Sequence, residues 1–496
     1  MFVTLQQMQQ LEALTDKSGV SYGEMMDRAG KTLADTLMQR YPDCRCVMFL
    51  AGNGNNGGDC YVAARYLKKA GWKPEVLAPC GRPRTDIANT ALDLAKSVGI
   101  PIYEEAYDFL FNEPQIVVDG LFGTGFRGEL PYGLQQMMTR TEGKIHVACD
   151  IPSGGNGDTG TVSEGTQRAT LTVTFGAEKI GMRQYPLREY CGEIVTADIG
   201  IPSEAFRQLV PAPCADLTLD AVYPYLPARQ PDVHKRQNGH LLAVAGSTRM
   251  RGACVLSVTA AMRSGVGLTT CAAAEPVLNA VCDKVPEVMC LPLAVDETGF
   301  LRFAENKNTL LEALYDKQAL LLGCGLGLTE DTAELTEFLL KQSDCPVILD
   351  ADGLNAASTC IEWIPKGRTI LTPHPGEAAR LLGVETAEVQ ADRPAAALEL
   401  ARRTGAVVAL KGAGTIVTDG TRMAVCSMGN PGMARAGSGD VLAGIAASLA
   451  AQGLPLYEAA CTAVTLHAAA GDTAAAAMPE RFMLPQDIVF FLQEVL

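Results

Sequence analysis

No C-x-x-C pair occurs in this chain of 496 residues, histidines number five, and glycine, proline or charge interrupts every apolar stretch. The first two shortages leave no ligand set for a zinc cluster. The sixteen cysteines, scattered through apolar runs, read instead as reduced core residues of a cytoplasmic protein. The third shortage excludes a membrane-spanning helix, which needs about 18 uninterrupted apolar residues. Basic residues are in the minority, 41 Lys and Arg against 56 Asp and Glu for a net charge of −15. That excludes a general nucleic-acid or anionic-membrane surface, but not phosphorylated ligands, which backbone amides bind without net positive charge. The N-terminus shows an amphipathic helix pattern where a signal peptide would place a basic and then an apolar region. Short internal repeats and low-complexity tracts are absent as well.

What the chain has is apolar mass, 48% of its residues, and 49 glycines. At 496 residues it exceeds one ordinary core, so two domains are expected. Abundant Gly and Ala suit α/β packing, in which helices lie close on a sheet. One helix is expected from about Thr4 and another from Ser21, where Ser21 and Glu24 read as a capping box. Apolar runs at 45–50, 74–77, 116–119, 145–150, 171–175 and 194–198 read as parallel strands covered on both faces. A second set follows at 240–245, 267–272, 319–322, 347–350, 369–371 and 407–411. A short β segment (415–418, 423–426) and a long Ala-rich helical region close the chain. Between the sets, Val210-Pro211-Ala212-Pro213, Tyr223-Pro224 and Gln230-Pro231 read as a linker. The expected division is a domain at 1–212, a linker at 213–230 and a domain at 231–496.

The first expected strand runs into Gly52-Asn53-Gly54-Asn55-Asn56-Gly57-Gly58-Asp59 and then a helix. Gly52, Gly54 and Gly57 satisfy the dinucleotide fingerprint G-x-G-x-x-G. The acidic residue expected at the end of the next strand is missing, however, and two asparagines and Asp59 crowd the loop. No G-K-[ST] follows, which excludes a P-loop. Asp119 ends a strand before Gly120-Leu121-Phe122-Gly123-Thr124-Gly125-Phe126-Arg127-Gly128-Glu129, and Asp150 ends another before Ile151-Pro152-Ser153-Gly154. Loops after parallel strands converge on one sheet edge, so Asn55, Asn56, Asp59, Asp119, Asp150 and Ser153 are expected in one crevice. Singly, each suits a cap or turn; together they suit a site.

Three of these strings, around Asn55-Asn56-Gly57-Gly58-Asp59, Val118-Asp119-Gly120 and Asp150-Ile151-Pro152-Ser153-Gly154, resemble the NAD(P)H-hydrate epimerase domain over about residues 1–211. The resemblance implies a potassium ion held by Asn56, Asp119 and Ser153, and oxygen ligands of low total charge suit such a weakly held hard cation. It also implies hydrate contacts from Asn55, Asn56, Gly57, Gly58, Asp59, Gly123, Thr124, Gly125, Phe126, Arg127, Gly128, Glu129, Tyr132 and Asp150. Asp150 is the candidate acid/base, since epimerising a carbon beside the ring nitrogen moves protons. Cys60 stands where the family has glycine.

In the second half, Gly246-Ser247 leads to Arg251-Gly252-Ala253. Three strings follow strands: Gly323-Cys324-Gly325-Leu326-Gly327, Thr372-Pro373-His374-Pro375-Gly376-Glu377 and Lys411-Gly412-Ala413-Gly414-Thr415. Asn430-Pro431-Gly432-Met433-Ala434 then leads into Gly437-Ser438-Gly439-Asp440 at a helix start. Small residues there let amides face an anion, and the helix dipole adds to the attraction. Asp440 is placed to take a proton from a hydroxyl attacking a phosphoryl group, or simply to cap the helix. His374, at a strand's end between two prolines, reads equally as a packed or a functional histidine.

Asp350-Ala351-Asp352-Gly353-Leu354-Asn355, with the strings around His374 and Asn430, resembles the ADP-dependent NAD(P)H-hydrate dehydratase of the ribokinase-like superfamily, from about Leu219 to the end. That resemblance implies that Lys411, Gly412, Ala413, Gly414, Thr415 and Gly439 bind the adenine nucleotide, and that Ala253, Gly325, His374 and Asp440 meet the hydrate. ADP is then the phosphoryl donor, accompanied by Mg²⁺. Cys324 stands where the family has proline and Ala436 where it has glycine. Together the resemblances imply an α/β protein of two three-layer α/β/α domains, Rossmann-like then ribokinase-like. They imply repair of NADHX and NADPHX: the first domain interconverts the R and S epimers, the second phosphorylates the S hydroxyl and eliminates phosphate. A homo-oligomer is expected, without nucleic-acid or membrane partners. The competing readings are a sugar or hydroxymethylpyrimidine kinase fused to a binding module, and a Rossmann oxidoreductase.

Overall fold

The computed structural model describes residues 1–229 and 231–496, Phe109 through its backbone only; Gln230, from the third proline pair of the seam, lies outside the described residues. Two units emerge, Met1–Cys214 and Ala215–Leu496.

The first unit carries seven parallel strands in the order Ile102–Tyr103, Lys73–Leu77, Cys46–Ala51, Ile116–Gly120, Ile145–Cys149, Leu171–Phe175, Glu193–Ala197. Val47 and Phe49 pack with Ile116 and Val118 in one cluster, Met48 and Leu50 with Val117 in another. Alternate residues thus find cover on opposite faces, which is why these strands are written as unbroken apolar runs. From Cys46–Ala51 the sheet grows outward through Lys73–Leu77, then reverses, setting Ile116–Gly120 on the other side. That reversal opens a crevice where the loops after Cys46–Ala51 and Ile116–Gly120 part. Helix Leu5–Lys17 starts from a reciprocal capping box between Thr4 and Gln7. Ser21 accepts the Glu24 amide, but the Glu24 carboxylate turns to Arg28 at 2.7 Å, so the expected box is half formed. A cation four residues on outcompetes the backbone amide for that carboxylate.

The second unit carries ten strands, ordered Ala215–Asp216, Met423–Cys426, Thr415–Thr418, Val407–Leu410, Thr369–Leu371, Val347–Leu349, Ala319–Leu322, His240–Val244, Leu268–Ala273, Met289–Pro292. Among the pairings of these ten strands, those made by Thr415–Thr418 are antiparallel and the others parallel. The order reverses between His240–Val244 and Ala319–Leu322. Much of the expected linker lies within this unit: Ala215–Asp216 pairs in parallel with Met423–Cys426, Thr218 caps helix Leu219–Val222, and Tyr223–Tyr225 forms a 3-10 turn. Pro224 is tolerated there because a first-turn N–H has no partner to lose. Helix Ser438–Ala451 is buried nearly all round. At Gly444 an added Cβ would lie 2.1 Å from the Ser257 carbonyl oxygen, so glycine lets helix Arg251–Arg263 approach to backbone contact.

Candidate active sites

The crevice of the first unit gathers most of the residues expected there. Asn56, in the first turn of helix Asn55–Lys69, donates through Nδ2 to the Cys149 carbonyl at 3.0 Å, which leaves Oδ1 facing Gly123. A Cβ added at Gly123 would lie 3.3 Å from Asn56 Oδ1 and 3.2 Å from Asp150 Oδ2, so these three residues share one spot. Ser153 donates through its amide (2.8 Å) and hydroxyl (2.6 Å) to the two oxygens of Asp119. Burial lifts the Asp119 carboxyl above its usual range, against the pull of both Ser153 donors. An oxygen-only set around a buried carboxylate that no Lys or Arg pairs among the described residues fits a hard monovalent cation. The rest of the loop is engaged elsewhere. Arg127 donates to the Thr124 and Phe126 carbonyls, Glu129 accepts the Ser163 hydroxyl at 2.6 Å, and Tyr132 is exposed and accepts from Gln136. Cys60 packs against Gly120, within the core.

Asp150 adopts φ 71°, uncommon for a residue with a Cβ. Its Oδ1 accepts from the Lys179 ammonium, the Thr174 hydroxyl (3.1 Å) and the Phe175 amide (3.3 Å). Lys179 is fully buried and also donates to Thr174 and the Phe175 carbonyl. Nothing in its local sequence signals this, since it sits in the two-residue strand Glu178–Lys179. Next to the crevice is a cavity of about 70 Å³ whose walls include Glu12, Tyr22, Met25, Asn55, Asp59 and Phe175. Burial, then the Asp150 charge, lifts Glu12 to about 7. The same causes, with Glu12 added, hold Asp59 well above the carboxylate range. Asn55 accepts the Thr85 hydroxyl at 2.7 Å.

In the second unit the charged group lies beyond the ends of four neighbouring strands, Ala319–Leu322, Val347–Leu349, Thr369–Leu371 and Val407–Leu410. Asp350 Oδ1 accepts from Lys411 (2.7 Å) and the Thr372 hydroxyl (2.8 Å), and its Oδ2 takes the Cys324 thiol at 3.7 Å. Cys324, Asp350 and Asp440 converge within 4.8 Å. Burial, then Asp350, pushes the Asp440 carboxyl up to about 7. Burial opposes the Lys411 charge, but Asp350 and Glu377 more than offset this and raise its pKa. A Cβ at Gly439 would lie 3.2 Å from Lys411 Nζ, so the turn and the lysine abut. Helix Ser438–Ala451 starts from Gly437 at φ 99°; the left-handed residue is Gly437, and Ala436 needs no such freedom. Ala253 and Gly325 meet, a Cβ at Gly325 falling 2.7 Å from that of Ala253. His374 has structural work: its Nδ1 accepts the Gly376 amide at 3.0 Å, and its own backbone amide donates to the Glu377 carboxylate at 2.7 Å.

Two further residues stand behind this site. Arg393, buried, donates to the carbonyls of Leu410, Lys411 and Ala413 and so braces the turn 411–414; burial lowers its pKa to about 10. His467, lowered to about 4 by burial, stays neutral and pairs with the Ser438 hydroxyl at 3.2 Å. Asn430 ties its loop to helix Leu456–Ala477 through Gly471 and Asp472. A larger cavity of about 540 Å³ lies at the opposite sheet edge, where Pro346, Arg368 and Ala406 precede their strands, and no residue expected in catalysis lines it.

Residues 241–494 match the family model described as NAD(P)H-hydrate dehydratase, and residues 23–181 match that of the YjeF-related protein N-terminus. The bifunctional NAD(P)H-hydrate repair enzyme Nnr of Coxiella burnetii is 37% identical over 490 residues, 97% of this chain and 96% of that protein. The enzyme of the same name from Moorella thermoacetica is 37% identical over 499 residues, 95% and 92% of the two chains. Among solved structures, a ribokinase-like superfamily protein from Enterococcus faecalis superposes with TM-score 0.51 at 25% identity, covering 57% of this chain and 96% of its own.

Proposed function

The chain belongs to the bifunctional NAD(P)H-hydrate repair enzymes, and from that we infer a division of labour between its units. The first interconverts the R and S forms of hydrated NADH and NADPH; the second dehydrates the S form at the expense of ADP. The carrying observation is Asp440, a carboxyl raised to about 7 at a helix start beside Lys411. A base matched to neutral pH, next to a fixed cation and the first amides of a helix, suits phosphoryl transfer to a hydroxyl.

In this reading Asp440 takes the hydroxyl proton as the oxygen attacks the terminal phosphoryl group. The amides of Gly437 and Gly439 and the Lys411 ammonium steady the transferring charge, the Ser438 amide being held by the Arg435 carbonyl at 3.2 Å. Loss of phosphate, assisted by the ring nitrogen's electron pair, and loss of a proton from the adjacent carbon restore the dihydronicotinamide. The hydrate would lie against Ala253, Gly325, His374 and Asp440, and the nucleotide along residues 411–415 and Gly439. Magnesium enters with the nucleotide phosphates as part of that substrate, since a thiol is no ligand for it and the Asp350 oxygens are already engaged. In the first unit, Asn56, Asp119 and Ser153 would hold a potassium ion, whose positive charge would balance the buried Asp119 carboxylate. The sixteen uncross-linked cysteines favour work in the cytoplasm, and a homo-oligomer completes the reading, to be read as a mass in solution above 52.5 kDa.

Incubation of the protein with NADHX and ADP should restore the near-ultraviolet absorbance of NADH. No recovery with ADP or with ATP would overturn the function.

A further inference from the structure

The small cavity beside Asn55 and Asp59 contains a carboxyl group that the reading above leaves without work. Glu12 reaches it from helix Leu5–Lys17, and Asp59 from helix Asn55–Lys69. Met25, Met26, Ile87 and Phe175 wall the space with apolar surface. Asp59 is 7% exposed, and among the described residues no hydrogen-bond donor serves its carboxyl. A buried carboxyl without a donor must carry a proton or meet a ligand. Asp150 is its opposite: Lys179, Thr174 and the Phe175 amide hold Oδ1, and Oδ2 is left beside Gly123. The anchored negative charge is therefore at Asp150, and its field favours the protonated forms of Glu12 and Asp59. An anchored carboxylate near a proton-holding one divides the roles of base and acid.

We propose that Glu12 is the proton donor of the epimerisation, acting together with Asp150 on the hydrated ring. This rests on the epimerase reading of the first unit. Asp150 takes the proton of the C6 hydroxyl, and the oxygen's electron pair forms the C=O bond of an aldehyde. The C6–N1 bond breaks with its electrons on N1, which receives the proton of Glu12. The opened chain turns about C5–C6, and the same two transfers in reverse close the ring on the other face of that carbon. Nothing is oxidised, reduced or released, so no co-reactant is needed, and both carboxyls end as they began. A cavity of about 70 Å³ suits one edge of a six-membered ring rather than a dinucleotide.

The titratable and charged groups that act on Glu12 are Asp59, Tyr22, Asp150 and Lys179, with Asp16 next beyond Tyr22. Exchange by the full chain should therefore fall as pH rises through about 7, where Glu12 loses its proton. Glu12→Gln should slow the exchange of purified R and S forms by roughly 10²–10⁴-fold, remove that alkaline limb, and leave ADP-dependent dehydration of the S form unchanged. Glu12→Asp, which keeps an acid one methylene farther back, should fall between the two with the limb present. Wild-type exchange in folded Glu12→Gln, or an alkaline limb that survives it, overturns the proposal; so does a limb missing from Glu12→Asp, which carries the test should the Gln variant not fold. A wild-type chain that exchanges no epimers would overturn the epimerase reading itself, which separates the two failures.

Discussion

Lys179 and Asp150 form a buried ion pair, their side chains 1% and 9% exposed. Removing one partner of such a pair strands the other charge, a cost of about 3–5 kcal/mol. Lys179→Met should lower the stability of the first unit by that amount. Urea unfolding followed through the fluorescence of Trp72, buried in that unit, reads it, and a loss below about 1 kcal/mol, the level of an ordinary surface change, would refute it.

Asp440→Asn should abolish repair of the S epimer while epimer exchange persists, as measured by absorbance recovery and by chromatography of the two epimers. Simultaneous loss of both activities in a folded variant would contradict two separate sites. The wild-type dehydration rate should rise with pH through about 7, because burial and Asp350 hold the proton on Asp440 below that point and a base must lose it. Asp350→Asn removes one of those causes, so its midpoint should move to lower pH.

Replacing Asp119 with Asn should weaken epimer exchange and its dependence on potassium, leaving dehydration intact. Titration of exchange with potassium chloride against choline chloride measures this. An unchanged potassium response would remove the cation from the set of Asn56, Asp119 and Ser153.

Arg393 donates to three carbonyls of the 410–413 backbone. Arg393→Met leaves those acceptors buried and unserved, at about 1–3 kcal/mol, and should loosen the turn that bears Lys411. The KM for ADP should rise about tenfold or more, the factor that 1.4 kcal/mol represents, with epimer exchange unaffected. An unaltered KM would mean that the turn holds its shape without Arg393.

The strands were legible because a strand buried on both faces can be written only in apolar residues; each of the runs at 45–50, 116–119 and 171–175 becomes one, within a residue at either end. Met289–Pro292 is not legible because it is largely exposed and edge-placed, and no periodicity is readable in two residues such as Glu178–Lys179. The same logic divides the sites. Asn56, Asp119, Asp150, Lys411 and Asp440 lie at or just beyond strand ends or at a helix start, so local sequence points to them. Glu12, Lys179, Arg393 and His467 reach their places through tertiary packing, Lys179 from 29 residues beyond Asp150, and no local signal announces them. His374 was ambiguous because one pattern, a histidine before Pro-Gly-Glu, serves both a helix cap and a ligand contact, and the cap is formed.

The larger cavity beside Asp419, Arg422 and Glu458 sits at the edge of the sheet opposite Asp440 and Lys411. Compounds selected for shape alone would therefore gather where no chemistry occurs. An inhibitor seated there would not be displaced by excess nucleotide or hydrate, and its signature would be a lowered maximal rate at unchanged KM.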